Sequence, residues 1–488
     1  MKARILIFFV LLLVTFQLKS QTSSLYFTRD ISTRHFINPA FQPDTKYYIS
    51  LPFIGYSEGG YSNNSFSLRN LAEDELNPFY NNLKSQTNLK SDFRMNLLSL
   101  GYCWNNTFFN FNIAQKADIL ITAPKDLFSL IFFGTPRYDY NSFDLKGTGV
   151  SGNLYTETSF GVSQKINEQW IIGLKLKFLS GNTNINFNTN NLNVIGAVDR
   201  WNISGNAQFR YAGAITPNAN NLLEINSLKF PDNISNWFKM NGTGAGIDFG
   251  VHFRMFEDLY FSFSVNDLGF IYWSKNVINN RLSIDYNFDG LLKLNSSMTT
   301  DELNSALNNI SDVNLALDSL WNDIQFNIGN EVNDSYFSKT TANIYFASEY
   351  RFMDDKLSTG IVFQSFYNNG FNANKLTAIL NFLPFDGINT TLSYSFLNGY
   401  NSLGGGFGIK AGPVNLFTYF DYIPTSITKI KYSDSSVYFP YNSNIFNLSA
   451  GISIAFGERE RKSSFITKRR FNSRTGLYRS KFRKQNFY

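Results

Sequence analysis

Charged or titratable side chains lie an even number of residues apart in two stretches of this 488-residue chain. Asp248, His252 and Arg254 share one side of one stretch, and Glu349 and Arg351 share one side of another. Because successive side chains leave a strand on opposite faces, each group would line a single face. The spacing predicts either interior polar residues that pair with one another, or a polar station on the path of a substrate.

Two lysines repeat this pattern in a third stretch. Lys175 and Lys177 alternate with large apolar residues over 169–180. That alternation fits a membrane wall with a lipid face and a polar interior better than an ordinary buried core. The lysines therefore join the other five residues as candidate polar groups of a lumen.

Motifs of enzymes and metal sites do not occur in the sequence. His35 and His252 are the two histidines, no G-x-S-x-G elbow supports a histidine-based triad, and no H-E-x-x-H or phosphate loop is present. Cys103 is the single cysteine, so there is no disulfide framework and no cysteine metal site. We expect a non-enzyme with no catalytic residues, no cofactor and no metal.

The elements that would position these charges are strands. Residues 246–266 form two arms of about ten residues around a tight turn at 256–258, with apolar residues on one face and polar residues or glycine on the other. That is the length a tilted strand needs to cross a bilayer. A hairpin in a soluble β-sandwich shows the same alternation, so the rest of the chain must decide between the two.

The N-terminus and the composition favour the membrane. Residues 1–20 carry Lys2 and Arg4 before a short apolar run, which predicts a cleaved signal peptide. No later apolar run is long enough for a membrane helix. The chain is 17% aromatic and only 16% charged, against about 25% charged in soluble domains. These features predict an outer-membrane location.

Turns and loops of unequal length support a closed barrel. Short turns near residues 105, 166, 257, 354, 385 and 412 largely alternate with longer connections. Weaker strand candidates lie at 46–56, 183–194 and 206–212. We predict an all-β fold: one transmembrane antiparallel barrel over 46–457, of sixteen or fourteen strands, with both termini in the periplasm.

Three segments stand outside this pattern. Residues 21–45 contain Asn38-Pro39-Ala40 and predict a leader that either plugs the lumen or packs under the wall. Residues 299–324 show helical spacing and predict an amphipathic helix in an outer loop, folded onto the barrel mouth or exposed as a lid or docking element. Residues 458–488 carry eleven Lys/Arg and two Asp/Glu. This basic tail predicts a solvated or anion-contacting periplasmic arm rather than a partner of nucleic acid.

Several of these stretches resemble known barrels. Asn38-Pro39-Ala40 resembles the leader of FadL-like long-chain fatty-acid transporters. The stretches 173–181, 264–273 and 404–424 resemble a family of Bacteroidota outer-membrane barrels that looks related to FadL-like proteins and to the PorV-type barrel of the type IX secretion system. The resemblance implies one barrel of about fourteen strands with an N-terminal segment inside or beneath it, and it carries over no ligand-binding residue.

Two functions follow as expectations. A FadL-like barrel would bind or pass hydrophobic small molecules, whereas a PorV-type barrel would be a scaffold that holds a secretion or envelope protein. An open diffusion pore is a third possibility, and the few inward charges argue against it. The expected partners are outer-membrane lipid and a hydrophobic ligand or a protein, around a monomeric barrel.

Overall fold

A computed structural model describes the chain at residues 23–29, 31–66, 76–134, 141–196, 201–214, 238–288, 327–328, 334–368, 371–385, 387–397, 400–423, 427–432, 435–440 and 445–458. The predicted signal peptide, the predicted helix at 299–324 and nearly all of the basic tail lie outside these residues. None of the described helices is both long and apolar enough to cross a membrane.

The described secondary structure is almost entirely antiparallel strand. The strands are Thr45–Ser50 (β1), Ser57–Asn63 (β2), Gln86–Trp104 (β3), Thr107–Pro124 (β4), Asn141–Asp144 (β5), Gly149–Lys165 (β6), Trp170–Gly196 (β7), Trp201–Ala212 (β8), Gly242–Arg254 (β9), Leu259–Trp273 (β10), Val277–Phe288 (β11), Asn327–Ile328 (β12), Tyr336–Lys339 (β13), Ala342–Phe352 (β14), Leu357–Asn368 (β15), Phe371–Phe385 (β16), Ile388–Leu397 (β17), Tyr400–Ala411 (β18), Val414–Phe420 (β19), Ile427–Tyr432 (β20), Ser435–Pro440 (β21) and Ile445–Glu458 (β22). The α-helices are Leu76–Asn82 (α1) and Lys125–Phe133 (α2), and 3₁₀ turns span Ser23–Leu25 and Ser32–Phe36.

The strands close into a barrel of fourteen positions. In order these are β1 with β2, then β3, β4, β6, β7, β9, β10, β13 with β14, and β15 to β19, ending at β22. β22 pairs with both β1 and β2, which joins the last position to the first. The predicted all-β antiparallel barrel is confirmed, at fourteen strands rather than sixteen.

Alternating burial along the strands separates an outer face from a lumen. β17 alternates strictly between exposed and buried residues along its ten positions. Its outward side chains include Leu392, Tyr394 and Phe396, and its inward ones include Ser393 and Ser395. A strand with one greasy and one polar face has this period of two.

One end of the barrel carries only tight connections. β3 joins β4 through Asn105-Asn106, with Asn105 at φ 51°, a left-handed conformation that asparagine adopts more readily than most residues. The turns at 166–169, 255–258, 353–356 and 412–413, and the turn at Gly387, lie at this same end, as the sequence predicts. We call it the short-turn end and the opposite one the long-loop end.

The sequence-based division of β7 is wrong. Separate strands were expected at 169–180 and 183–194, but β7 runs unbroken over 27 residues. Its first half pairs with β9 in the barrel wall, and its second half pairs with β8, which pairs in turn with β11. A run of asparagines preserves the alternation, so the wall continues as a sheet beyond the barrel. β8 belongs to this sheet rather than to the wall.

The first predicted strand, 46–56, is also wrong in its extent. β1 ends at Ser50, and the chain leaves the wall through Pro52 and Phe53, whose φ is +64°. Proline cannot donate a ladder hydrogen bond, which favours a break at this point. The wall resumes only at Ser57.

The described leader residues, 23–29 and 31–44, lie inside the barrel lumen. Residues 23–44 contact strands on all sides of the barrel, and Leu25, Tyr26, Phe36, Ile37 and Phe41 form a buried cluster with inward residues of the wall. We call residues 23–44 the plug. It occupies the half of the lumen nearest the short-turn end.

Candidate luminal site and lateral seam

The plug rests on a pair of glycines. Gly173 of β7 and Gly250 of β9 are opposite one another in the ladder. A Cβ at Gly173 would lie 2.2 Å from the backbone of Pro39, and one at Gly250 would lie 2.1 Å from Asn38 Oδ1. Asn38 Nδ2 also donates to the carbonyl oxygens of Val251 and Phe263, at 3.3 Å each. The Asn38-Pro39-Ala40 segment is therefore seated where side chains are absent from the wall.

A buried carboxylate fastens the start of the plug. Asp421 accepts hydrogen bonds from the backbone amides of Ser23 and Ser24, at 2.9 and 3.1 Å. It also accepts from the side chains of Ser24, Lys375 and Asn447. Hydrogen bonds from several donors offset the free-energy cost of removing the Asp421 carboxylate from water. The buried charge is therefore stabilised.

His35 ties the middle of the plug to two wall strands, β1 and β4. Its imidazole lies within hydrogen-bond distance of Tyr48 Oη, at 3.0 Å, and of Asn112 Oδ1, at 3.4 Å. His35 belongs to the plug and not to a wall strand. Its burial, together with the nearby Lys175 ammonium, lowers its pKa well below the usual range, so the ring is neutral at physiological pH.

Above the plug, five charged side chains form one ion network. Lys177 Nζ lies 2.6 Å from Asp248 Oδ1 and 2.6 Å from Asp267 Oδ1. Lys116 Nζ lies 2.5 Å from Asp267 Oδ1 and 2.8 Å from Glu157 Oε2. Lys175 reaches the edge of this network, 4.0 Å from Asp248. These groups connect five neighbouring strands, β4, β6, β7, β9 and β10, along one side of the lumen.

A second charged group lies closer to the short-turn end. Arg351 Nη2 is 2.9 Å from Glu349 Oε2, and the Arg29 guanidinium of the plug is 3.6 Å from Glu349 Oε1. The Arg351 guanidinium also lies 3.7 Å from the centre of the Tyr260 ring. This group bridges the plug to β14.

The residues predicted from sequence thus fall into separate places. Asp248, Lys175 and Lys177 meet in the ion network, and Glu349 and Arg351 meet in the second group. His252 stacks on Tyr260 at 5.5 Å and contacts Phe41 of the plug. Arg254 donates to backbone carbonyls of the turn after β9. All seven are on the inward side or at its rim, but they do not form one station.

Sequence reasoning missed several members of the lumen. They are Glu58, Lys90, Arg94, Lys116, Asp118, Glu157, Asp267, Lys375 and Asp421. Most sit on the polar face of an alternating strand, which is a signal the sequence carries. The sequence does not show which strands face each other across the barrel. Among the described residues, no group of three potential metal ligands is gathered together.

The wall is not hydrogen-bonded throughout. Asn63 pairs with Leu89, and the Asn96 amide donates to the Tyr56 carbonyl at 2.9 Å. Between these points no described backbone pairing joins residues 57–62 of β2 to residues 90–95 of β3. We call this gap the seam. Six residues per strand correspond to roughly 20 Å of unpaired ladder.

One side-chain bond crosses the seam. Ser91 Oγ donates to the Gly60 carbonyl at 3.1 Å. The register of Asn63 and Leu89, continued along the strands, places Gly59 opposite Phe93 on the outer face. It also places Glu58 opposite Arg94 on the inner face. The Ser91 hydroxyl therefore bridges the two strands at the centre of the seam, where the described residues have no backbone ladder.

A small cavity of about 40 Å³ lies behind the seam. Glu58 lines it from β2, and Lys90, Asp92, Phe93 and Arg94 line it from β3. Lys116, Asp118, Tyr155, Asp267, Thr341 and Asn343 complete the lining. The plug lies beneath, where the Arg94 guanidinium stands 4.0 Å from the Phe36 ring centre. The lumen and the seam therefore share one compartment, which we call the seam cavity.

Apolar side chains narrow the lumen toward the long-loop end. Leu120, Phe366, Ala373 and Leu397 form a buried cluster that brings β4 together with β15, β16 and β17. Lys90 Nζ lies 4.1 Å from the Phe366 ring centre, above the seam cavity. An apolar layer therefore separates the cavity from the long-loop end.

The outer face is apolar and carries aromatic rings near its edges. Tyr47 stacks between Tyr102 and Phe456 near the short-turn end, with ring centres 5.1 and 5.3 Å apart. Phe337 packs on Phe270 and Tyr272 nearer the other end. Apolar bands with aromatic borders of this kind are found on barrels that span membranes.

The chain is similar in fold to solved outer-membrane channels. The Ralstonia pickettii toluene transporter TbuX aligns with a TM-score of 0.43 and 8% identity, over 90% of this chain and 100% of that chain. The Pseudomonas putida toluene transporter TodX gives 0.36 and 8%, over 89% and 95%. A Pseudomonas aeruginosa FadL homologue gives 0.35 and 10%, over 90% and 97%. The relations to PorV-type barrels and to Bacteroidota stay predictions.

No curated protein matches the sequence. One protein-family profile, described as a family of unknown function (DUF5723), matches residues 39–421. The match begins within the plug at Pro39 and ends at Asp421, so it covers most of the barrel wall and the residues that hold the plug. This chain belongs to the family of unknown function DUF5723.

Proposed function

We propose that this protein is an exported, non-catalytic outer-membrane channel that passes hydrophobic small molecules sideways through its own wall. The observation that carries the proposal is the seam, an unpaired stretch of wall that opens on an internal cavity. Unpaired backbone groups in contact with lipid are costly. Residues 57–62 of β2 and 90–95 of β3 do not pair with each other, whereas a continuous ladder joins neighbouring strands in a closed barrel. This gap is the route that we propose for the hydrophobic molecule.

The arrangement of the lumen supports a lateral route rather than a straight one. The plug fills the half of the lumen near the short-turn end, which obstructs passage along the barrel axis. The apolar layer of Leu120, Phe366, Ala373 and Leu397 offers a non-polar entrance from the other end. A molecule that crosses this layer reaches the seam cavity, and Phe93 at the seam leads outward to lipid.

A reversible crosslink across the seam tests this route. Gly59→Cys with Phe93→Cys places two thiols opposite one another on the outer face, in a background with Cys103→Ala. The matched control is Phe363→Cys with Leu376→Cys, an outward pair that the β15–β16 ladder already joins. Uptake of a neutral aromatic hydrocarbon into vesicles that contain the oxidised protein is compared with uptake after reduction.

We expect oxidation of the seam pair to abolish uptake and reduction to restore it, with no change for the control pair. Equal uptake by the oxidised and reduced seam variants would overturn the lateral route. Native mass spectrometry of the protein from its own membrane adds an independent arm. A bound hydrophobic compound would support transport, whereas an empty barrel with a stably associated secretion or envelope protein would favour the scaffold function.

A further inference from the structure

The lining of the seam cavity is unusual for a site that would receive only hydrocarbon. Four carboxyl groups face it, on Glu58, Asp92, Asp118 and Asp267, together with three cations, on Lys90, Arg94 and Lys116. With every group ionised the lining carries 3 − 4 = −1. In that fully ionised state, a ligand with a single negative charge, such as a simple fatty acid, would meet net repulsion from the lining.

Two of the four carboxyl groups have no cation of their own. Asp267 is paired with Lys116, and Lys90 lies 3.7 Å from Asp92. Asp118 accepts a hydrogen bond from Asn153 at 3.0 Å, and Glu58 accepts one from the Tyr56 hydroxyl at 2.5 Å. Neither has a described Lys or Arg nitrogen within 4 Å, although Asp118 is 6% exposed and Glu58 is 4% exposed. Ionising a buried carboxyl group without a cation is costly.

One donor at the cavity also lacks an acceptor. Arg94 is 4% exposed and gives its Nε hydrogen to Asn96, but its Nη2 makes no hydrogen bond. The nearest described carboxylate oxygen, Glu157 Oε1, lies 3.8 Å from Arg94 Nη2, beyond hydrogen-bond distance, while Lys116 binds the other oxygen, Oε2. Buried guanidinium hydrogens are rarely left unmet. Arg94 therefore offers a hydrogen bond to an acceptor that enters from outside.

We infer that the seam cavity receives the headgroup of a zwitterionic amphiphile, with an amine beside Glu58 and Asp118 and an anionic oxygen beside Arg94. This inference rests on the proposed lateral route and narrows its substrate class. The apolar chain of the ligand extends past Phe93 at the seam, where the outer face is lipid-facing. The headgroup supplies the cation and the acceptor that the lining lacks.

A headgroup series with one chain length tests the assignment on the wild-type protein. The probes are dodecanoate, dodecylamine, dodecanol and a lauroyl lysophosphatidylethanolamine, which place an anion, a cation, a neutral hydroxyl and a zwitterion on comparable chains. Binding is measured by tryptophan fluorescence in nanodiscs. We expect the zwitterion to bind best, dodecylamine next and dodecanoate most weakly. Dodecanoate binding as tightly as the zwitterion would overturn the inference.

Two substitutions locate the charges. Asp118→Asn should weaken both amine probes by about tenfold, the loss of one charge-assisted contact, and leave dodecanol unchanged. Arg94→Gln should weaken the zwitterion by a similar factor and leave dodecylamine unchanged. Asp285→Asn, on the exposed part of β11, is the control and should change nothing. An Asp118→Asn variant that keeps the wild-type headgroup order would overturn the site, and heat-modified gel mobility confirms that each variant is folded.

The two proposals fail in different ways. If the oxidised seam pair still passes the neutral hydrocarbon, the lateral route is wrong. If that crosslink blocks uptake of the hydrocarbon, but the four probes bind equally well or dodecanoate binds best, the lateral route is supported and the zwitterionic assignment is wrong. If none of the four probes binds, the assignment is also wrong.

Discussion

Two stretches of the same barrel wall differ in their backbone pairing and in their outward side chains. From β14 to β18 every strand pairs with both neighbours, and outward residues such as Ile361 and Leu392 are 55% and 50% exposed. At β2 and β3 the ladder opens, and the outward positions of β2 carry Ser57 and Gly59, followed by Tyr61. The first stretch is closed by its backbone ladder, whereas the second is the route to the interior that we propose.

The two stretches differ in the hydrogen-bond partners of their backbone amides and carbonyls. A strand in lipid must give its amides and carbonyls to its neighbours, because no water is available to replace them. The closed stretch does so throughout. The seam instead has a cavity with polar groups directly behind it, so its backbone can hydrogen-bond to water or to a ligand. A polar interior is therefore what allows this wall to be opened.

The largest expected effect comes from an outward charge. Ile361→Arg in the closed stretch should lower the free energy of unfolding by about 2–4 kcal/mol, because a guanidinium on the lipid face has no partner there. Ser57→Arg at the seam should cost less than about 1 kcal/mol, since unpaired carbonyls lie within its reach. Urea unfolding in lipid vesicles measures both. Equal losses would contradict the distinction between the two stretches.

A smaller effect is expected where the plug meets fully paired wall. Gly250→Ala forces a methyl group against Asn38 and should cost about 1–3 kcal/mol. Gly246→Ala, in the same strand, meets atoms no closer than 3.5 Å and should be neutral or slightly stabilising. Thermal unfolding and single-channel conductance are the readouts. A higher conductance for Gly250→Ala alone would show that this glycine seats the plug.

The smallest effect concerns single hydroxyls. Ser91→Ala removes the bond that crosses the seam, whereas Thr359→Val removes a hydroxyl bond from Thr359 to Ile379 in the closed stretch. Each should cost about 1 kcal/mol or less. Only Ser91→Ala should raise uptake of the neutral hydrocarbon, because the backbone ladder remains beside Thr359. An equal rise in both variants would mean that the seam has no special weakness.

The sequence by itself determined the class of fold. Alternation with a period of two, as in 388–397, needs only local geometry, because adjacent side chains of a strand point to opposite faces. The short turns and the aromatic, charge-poor composition were equally local signals. Lys175, Lys177 and Asp248 were recognisable as polar positions of a lumen for the same reason.

Tertiary structure alone decided what those positions contact. Asp421 meets Ser23 across almost the whole length of the chain, and no local pattern indicates that pairing. The seam arises because β2 and β3 lose backbone pairing after the break at Pro52, which depends on the register between strands. The Asn-rich half of β7 has the period of a wall strand, yet its partners β8 and β11 place it beyond the barrel. Periodicity fixes which way a side chain points, whereas closure of the barrel fixes what it faces.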